Sequence, residues 1–171
     1  MKDFNKRVLQ IAKQIQSDVP KHQLPPEEGA FSKSQLVLPF SVVKGTRGYI
    51  EKIVNQINGS YESGWYDSCA VMIRRLIETL IIEVFEYYGI AHKIKNSSGD
   101  FYYLRDLINI TISETTWNLG RNTKQALPKL KDIGDRSAHS RRYLAHRKDI
   151  EKIIDDLRLV TQELILLASL K

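Results

Sequence analysis

Apolar residues recur along this chain at helical spacing, in blocks separated by proline, glycine and short polar runs. Residues 3–19 place Phe4, Val8, Leu9, Ile11, Ala12 and Ile15 at intervals that predict a helix ended by Pro20. From Lys21 to Ser41 the chain carries Pro25, Pro26, Gly29 and Pro39 and reads as a long irregular connection. A short helix is expected from Arg47 to Ile57, with Asn58-Gly59-Ser60 as a turn. The strongest element runs from about Tyr61 to Tyr88, where Trp65, Cys69, Met72, Ile73, Leu76, Leu80, Ile81, Val84 and Phe85 form one broad apolar stripe. That width predicts a central helix touched on several sides, and Gly89 closes it as a C-terminal cap.

After the polar loop Asn96–Asp100, a helix is expected over about Phe101 to Ile112. Between Ser113 and Asn122 no regular repeat is visible, and Trp117 and Leu119 read as packed residues. A further helix spans Thr123 to about Ala138, with Pro128 in its first turns, and a last one spans about Lys148 to Leu170. The pattern therefore predicts an all-α protein: an antiparallel bundle of four to five helices over residues 46–171. An extra N-terminal helix and a proline-containing connection fill residues 1–45.

Composition narrows the chemistry. Hydrophobic residues make up 42% and charged residues 27%, a globular balance. The single cysteine, Cys69, forbids a disulfide within one chain and reads as a buried, inert thiol. No apolar run is long enough for a membrane span, since Arg74, Arg75, Glu78 and Glu83 interrupt the best stretch, and no signal peptide is visible; a cytoplasmic protein without membrane contact is expected. The formal net charge of +6 is unevenly placed. Arg121 to Lys148 holds nine Lys or Arg against only Asp132 and Asp135, a local +7, so the whole excess sits in one block and the rest of the chain sums to about −1. Such a block attracts phosphate-rich partners, or serves as a solvated helix surface.

Two segments carry a family resemblance. The first, Tyr61-Glu-Ser-Gly-Trp-Tyr-Asp-Ser-Cys-Ala-Val-Met-Ile-Arg-Arg-Leu-Ile-Glu78, places small residues before an Arg-Arg-x-x-Glu cluster. The second, Leu130-Lys-Asp-Ile-Gly-Asp-Arg-Ser-Ala-His139, contains a Gly-Asp-x-x-Ala-His string. Together they resemble the HEPN (higher eukaryote and prokaryote nucleotide-binding) superfamily, in its branch of unknown function found with restriction and defence proteins. The resemblance covers about residues 47 to 168. It implies a homodimer and a metal-independent endoribonuclease or RNA-binding effector, in a defence or toxin–antitoxin setting and without a cofactor. In that family an Arg and a His, separated by four to six residues, meet across the dimer.

The chemistry suits those residue types. Cleaving RNA without a metal needs a base for the ribose 2′-hydroxyl, and histidine titrates near neutral pH. It also needs a cation for charge building on phosphorus, and arginine offers a planar, bidentate one. The resemblance makes His139 the base, Arg136 and Lys131 the phosphate contacts and Asp135 the orienting group. Lys131, Asp135 and His139 are spaced by four and fall within about 80° on one helix face. Arg142 and His146 would extend that face unless the helix breaks at Ser140. The family spacing itself is altered: seven residues separate Lys131 from His139 and two separate Arg136 from it, while Arg141-Arg-Tyr-Leu-Ala-His146 reproduces it downstream. Arg75, Glu78, Arg141, Arg142 and His146 are candidate binding residues, with Arg74 and Glu78 placed for an intrahelical ion pair or for bracing the helix that bears Asp135. The alternative from another class is a non-catalytic helical dimerisation or protein-interaction module built on the same polar residues.

Overall fold

The computed structural model describes residues 6–11, 13 and 37–171, and the chain divides into two compact units, Met1–Ala30 and Phe31–Lys171. Of the expected N-terminal helix, residues 6–11 and 13 are helical; its remainder and most of the proline-containing connection lie outside the described residues. In the larger unit the elements are α1 (Phe40–Val43), α2 (Gly48–Glu62), α3 (Tyr66–Tyr87), a 3-10 turn (Ala91–Ile94), α4 (Leu104–Ser113), α5 (Arg121–His139), α6 (Arg147–Glu151) and α7 (Ile154–Leu167). Among the described residues no strand forms; the only pairing is the single bridge between Lys95 and Phe101.

The apolar stripe of α3 does what its width predicts. Cys69, Ile73, Leu76, Ile77, Leu80, Ile81, Val84 and Phe85 are all fully buried, covering more than one face of the helix. Accordingly α2, α5 and α7 all pack against α3, and α5 also touches α4 and α7. Each fully buried Leu, Ile or Phe contributes about 1.5–3 kcal/mol of transfer free energy, so this helix anchors the core. Burial pushes the Cys69 thiol up to about 12, which makes it inert at neutral pH. Gly89, at φ +69°, supplies the left-handed turn that ends α3.

Several boundaries differ from the sequence pattern, each for a physical reason. The central helix starts at Tyr66 rather than Tyr61, because Gly64 takes φ +77° and turns the chain between α2 and α3. Trp65, read as part of the buried stripe, sits on that turn and is 64% exposed. Asn58-Gly59-Ser60 is not a turn: α2 runs through it to Glu62. Asn58 is buried there, and its amide oxygen accepts from the backbone N–H of Val37 and Leu38 at 3.3 and 3.1 Å. Its amide nitrogen donates to the Leu38 carbonyl at 2.9 Å. A residue with turn propensity is thus kept in a helix because it satisfies a buried stretch of irregular backbone.

Pro128 is the eighth residue of α5, which starts at Arg121, two residues before the expected Thr123. It leaves the Lys124 carbonyl without an intrahelical donor, and its own exposure to solvent makes that arrangement tolerable. The start of α5 is held from outside. Glu163 of α7 accepts from the Gly120 N–H at 2.6 Å and from the Thr123 hydroxyl, setting a carboxylate at the positive end of the helix. The last predicted helix is two, because the chain turns at Lys152 and Ile153 between α6 and α7. Phe40–Val43, assigned to the irregular connection, is a short helix.

Replacing Asn58 by Ala would leave three buried backbone groups unpaired. The expected loss is about 2–3 kcal/mol of unfolding free energy, read from the urea midpoint at unchanged slope.

Candidate functional site

The sequence places Lys131 and Asp135 one turn apart on α5, and the fold brings α3 against that face. The approach is unusually close at one point. A Cβ on Gly134 would lie 2.6 Å from the Arg74 Cβ and 2.9 Å from the Ala70 carbonyl oxygen. Only a residue without a side chain fits there, and its neighbour Asp135 is thereby carried to Arg74. The Arg74 Nε donates to Asp135 Oδ1 at 2.7 Å, while Lys131 Nζ donates to Oδ2. Arg74 also reaches Glu78 on its own helix, with Nη1 3.6 Å from Oε2. Of the two arrangements open to Arg74 from the sequence, both occur: it pairs within α3 and braces α5.

Burial by itself would raise the Asp135 carboxyl. The hydrogen bonds from Lys131 and Arg74 outweigh it and hold the group below the usual carboxylate range. All three side chains are between a fifth and a third exposed, so the cluster is sheltered without being sealed.

His139 is the last residue of α5 and is exposed. It forms no hydrogen bond with Asp135, whose two oxygens are taken by Arg74 and Lys131. The expected orientation of the imidazole by Asp135 is therefore not made within one chain. The helix does break at Ser140, so Arg142 and His146 do not continue the α5 face. They lie in the loop of residues 140–146, where Arg141, Arg142 and His146 are all exposed. Arg136 is exposed as well. It donates to the Asp132 carbonyl at 3.4 Å, and its guanidinium lies 5.0 Å from the centre of the Tyr143 ring. Arg75 is exposed and forms no ion pair with a described residue. Glu78 belongs with Arg74 rather than Arg75.

The loop is tied down at several points. Asp67, in the first turn of α3, accepts from the Ala145 N–H at 3.0 Å. Asp149 accepts from the His146 N–H at 3.0 Å, and that bond holds its carboxyl below the usual range. Arg147 bonds both the Tyr61 hydroxyl, at 3.1 Å, and Glu151, at 3.0 Å, which pins α6 to the end of α2. The basic block thus divides. Lys129, Lys131, Arg136 and Arg147 are ion-paired, whereas Arg121, Lys124, Arg141, Arg142 and Lys148 form no ion pair with a described residue.

A groove of about 290 Å³ runs along the outer side of α5 between Lys129, Asp132, Arg136, Asp149 and Lys152. Its mixed charge makes it a poor match for an anion. A larger cavity of about 400 Å³ lies at the far end of α3, around Arg47, Glu83, Glu86 and Tyr87. There Glu83 is nearly buried, accepting from Arg47 at 3.4 Å and from the Tyr49 hydroxyl, whose phenol burial and Glu83 together push up to about 12. Sequence reasoning did not single out that cluster, and its groups satisfy one another. Among the described residues no three His, Cys, Asp or Glu side chains gather as a metal site requires. Likewise no helix there is long and apolar enough to cross a membrane.

No protein-family model, curated protein or solved structure matches this chain.

Two outcomes test the cluster. Gly134→Ala would stabilise an ordinary helix by about 0.5–1 kcal/mol, whereas here the collision with Arg74 and the Ala70 carbonyl predicts a loss of about 1–3 kcal/mol in thermal or urea unfolding. Asp135→Asn should lower stability by about 1–2 kcal/mol at neutral pH. The folded carboxyl binds its proton less tightly than the unfolded one, so its contribution is present above the unfolded pKa and is lost as pH falls through the folded one. The gap between Asp135→Asn and the parent protein should therefore narrow as pH drops from about 7 to below about 4, measured by urea midpoints across that range.

Proposed function

We propose that this chain is a HEPN-like helical domain that contacts RNA through the end of α5 and the loop after it, with His139 as the base of a metal-independent endoribonuclease completed by a second copy. The observation that carries the reading is the placement of His139. It stands exposed at the tip of a basic helix and makes no hydrogen bond to a described residue, with Arg136 on the turn before it and Arg141 and Arg142, which form no ion pair with a described residue, two and three residues after it. A neutral, solvent-exposed imidazole can accept a proton from a 2′-hydroxyl, and neighbouring guanidiniums can hold the phosphate. Because Asp135 is engaged within its own chain, orientation of His139 has to come from the substrate or from a partner copy. An exposed position allows that, and a buried one would have ruled it out.

Lys131 and Asp135 take a different role from the one the family resemblance implies. Their ion pairs with each other and with Arg74 support a bracing function that sets the height of α5 against α3. The same observation favours the second reading, a non-catalytic interaction module in which the polar cluster is structural and the exposed loop meets another protein.

Incubating the protein with RNA in excess EDTA, beside a His139→Ala variant, separates the two. Cleavage by the parent protein to 2′,3′-cyclic phosphate ends, reduced at least 100-fold in the variant, is the expected result. Equal survival of RNA with both proteins removes the catalytic reading. Retained, salt-sensitive RNA binding in that case leaves an RNA-binding module, and its absence leaves the protein-interaction module.

A further inference from the structure

Tryptophan is among the side chains a fold most readily buries, and Trp117 behaves so, edge-on against Phe85 with the ring centres 4.9 Å apart. Trp65 does not. Its position is fixed by the backbone: its N–H donates to the Ser60 carbonyl at 2.8 Å, its carbonyl accepts from Cys69 at 2.9 Å, and Gly64 turns the chain just before it. Two residues on, Asp67 holds the Ala145 N–H, so the turn bearing Trp65 and the basic loop are joined by a hydrogen bond. Leu144, next to Ala145, is 70% exposed and Trp65 64%. Arg142 is three residues from Ala145, a reach of at most about 11 Å. One hydrogen bond thus ties the turn bearing an exposed indole to a loop that carries an exposed leucine and two exposed guanidiniums, neither of which forms an ion pair with a described residue.

We propose that Trp65 is a stacking platform for an unpaired nucleobase, with Arg141 and Arg142 holding the phosphates beside it, so that the domain selects single-stranded over duplex RNA. The inference rests on the reading of this surface as RNA-contacting and adds the residue that determines strand specificity. Charge on the loop side favours an anionic occupant: Arg141 and Arg142 are exposed and form no ion pair with a described residue, and Asp67, the acid that follows Trp65, is engaged by the Ala145 N–H. Single-strand binding uses this combination: every base offers a π-face to an exposed aromatic ring, while a backbone-tracking cation supplies affinity without reading sequence. A paired base has both faces covered by its neighbours and gains nothing from Trp65.

The test uses the full chain and a 5′-labelled 2′-O-methyl oligouridine of about twelve nucleotides, which resists 2′-hydroxyl cleavage, alongside a duplex of the same length. Fluorescence anisotropy should show Trp65→Ala weakening the single strand by on the order of tenfold while leaving the duplex unchanged, with Trp65→Phe recovering most of the loss. Unlabelled oligouridine should quench the protein's tryptophan emission, and the quench should vanish in Trp65→Ala, since the only other tryptophan, Trp117, is buried. If Trp65→Ala matches the parent protein while a double Arg141→Gln, Arg142→Gln variant loses affinity, the stack is overturned and the RNA reading stands. If the parent protein binds neither strand, both fall. If Trp65→Ala retains RNA affinity but converts a sedimenting dimer to monomer, the tryptophan belongs to a contact between copies and the stack is overturned.

Discussion

The contact between α3 and α5 depends on a side chain that is missing. Gly134 lets the backbone of α5 come within Cβ-contact distance of Arg74 and of the Ala70 carbonyl, closer than any other residue would allow. Glycine in a helix interior is unfavourable by itself, and here that local penalty is offset by what the approach creates. It buries the apolar face of α5 (Ala126, Leu127, Leu130 and Ile133) against the central helix. It also places Asp135 where Arg74 can reach it from across the gap. The ion pair is a consequence of the close approach rather than its cause. An arginine on a more distant helix would have to extend into solvent to meet the same carboxylate.

That geometry redistributes the chemistry along α5. Asp135 has two acceptor oxygens, and the helix spacing and the helix crossing each supply a cation to one of them. With both oxygens drawn to cations, the carboxylate makes no hydrogen bond to His139 a turn further on. The polar stripe is therefore split in function. Its inner part, Lys131 and Asp135 with Arg74, is a sheltered clamp between helices. Its outer part ends on Arg136 and His139, both exposed, and the histidine makes no hydrogen bond to a described residue. A net charge counted over the whole block hides this division, because the paired and unpaired cations have opposite consequences for a phosphate ligand.

Much of this was legible in the sequence, and the exceptions share one origin. The all-helical architecture, the central helix, the irregular stretch holding Trp117 and Leu119, and the break at Ser140 follow from periodicity and turn chemistry, which are local. Asn58-Gly59-Ser60 misled because local turn propensity was overruled by a distant backbone segment that needed the Asn58 amide. Trp65 misled in the opposite sense: its spacing fits the stripe, but Gly64 turned the chain and left the ring outside. The Arg74–Asp135 pair was readable as an option, since Arg74 and Glu78 stood out as charges in an apolar helix and Asp135 through its spacing from Lys131 and His139. What could not be read was which option would win, because the answer lies in how closely two helices approach, and the paired residues on them are 61 positions apart in the chain. Gly134 was the available signal, a glycine in the middle of a strongly periodic helix.

The same logic explains why the loop after α5 is a better surface for a ligand than its charge alone would make it. Cations on a free segment lose conformational entropy when a ligand fixes them, and that loss reduces the net affinity. Here the backbone is fixed before any ligand arrives: Asp67 holds Ala145, Asp149 holds the His146 N–H, Tyr143 lies under Arg136, and Arg147 is bound to Tyr61 and Glu151. Each of those ties uses an acid or an aromatic ring on a residue outside the cationic pair Arg141 and Arg142, so neither of those two side chains is used in a tie to a described residue. The folding interactions that order the loop and the charges that would meet a phosphate are thus carried by different residues. That separation lets one short segment be both rigid and available.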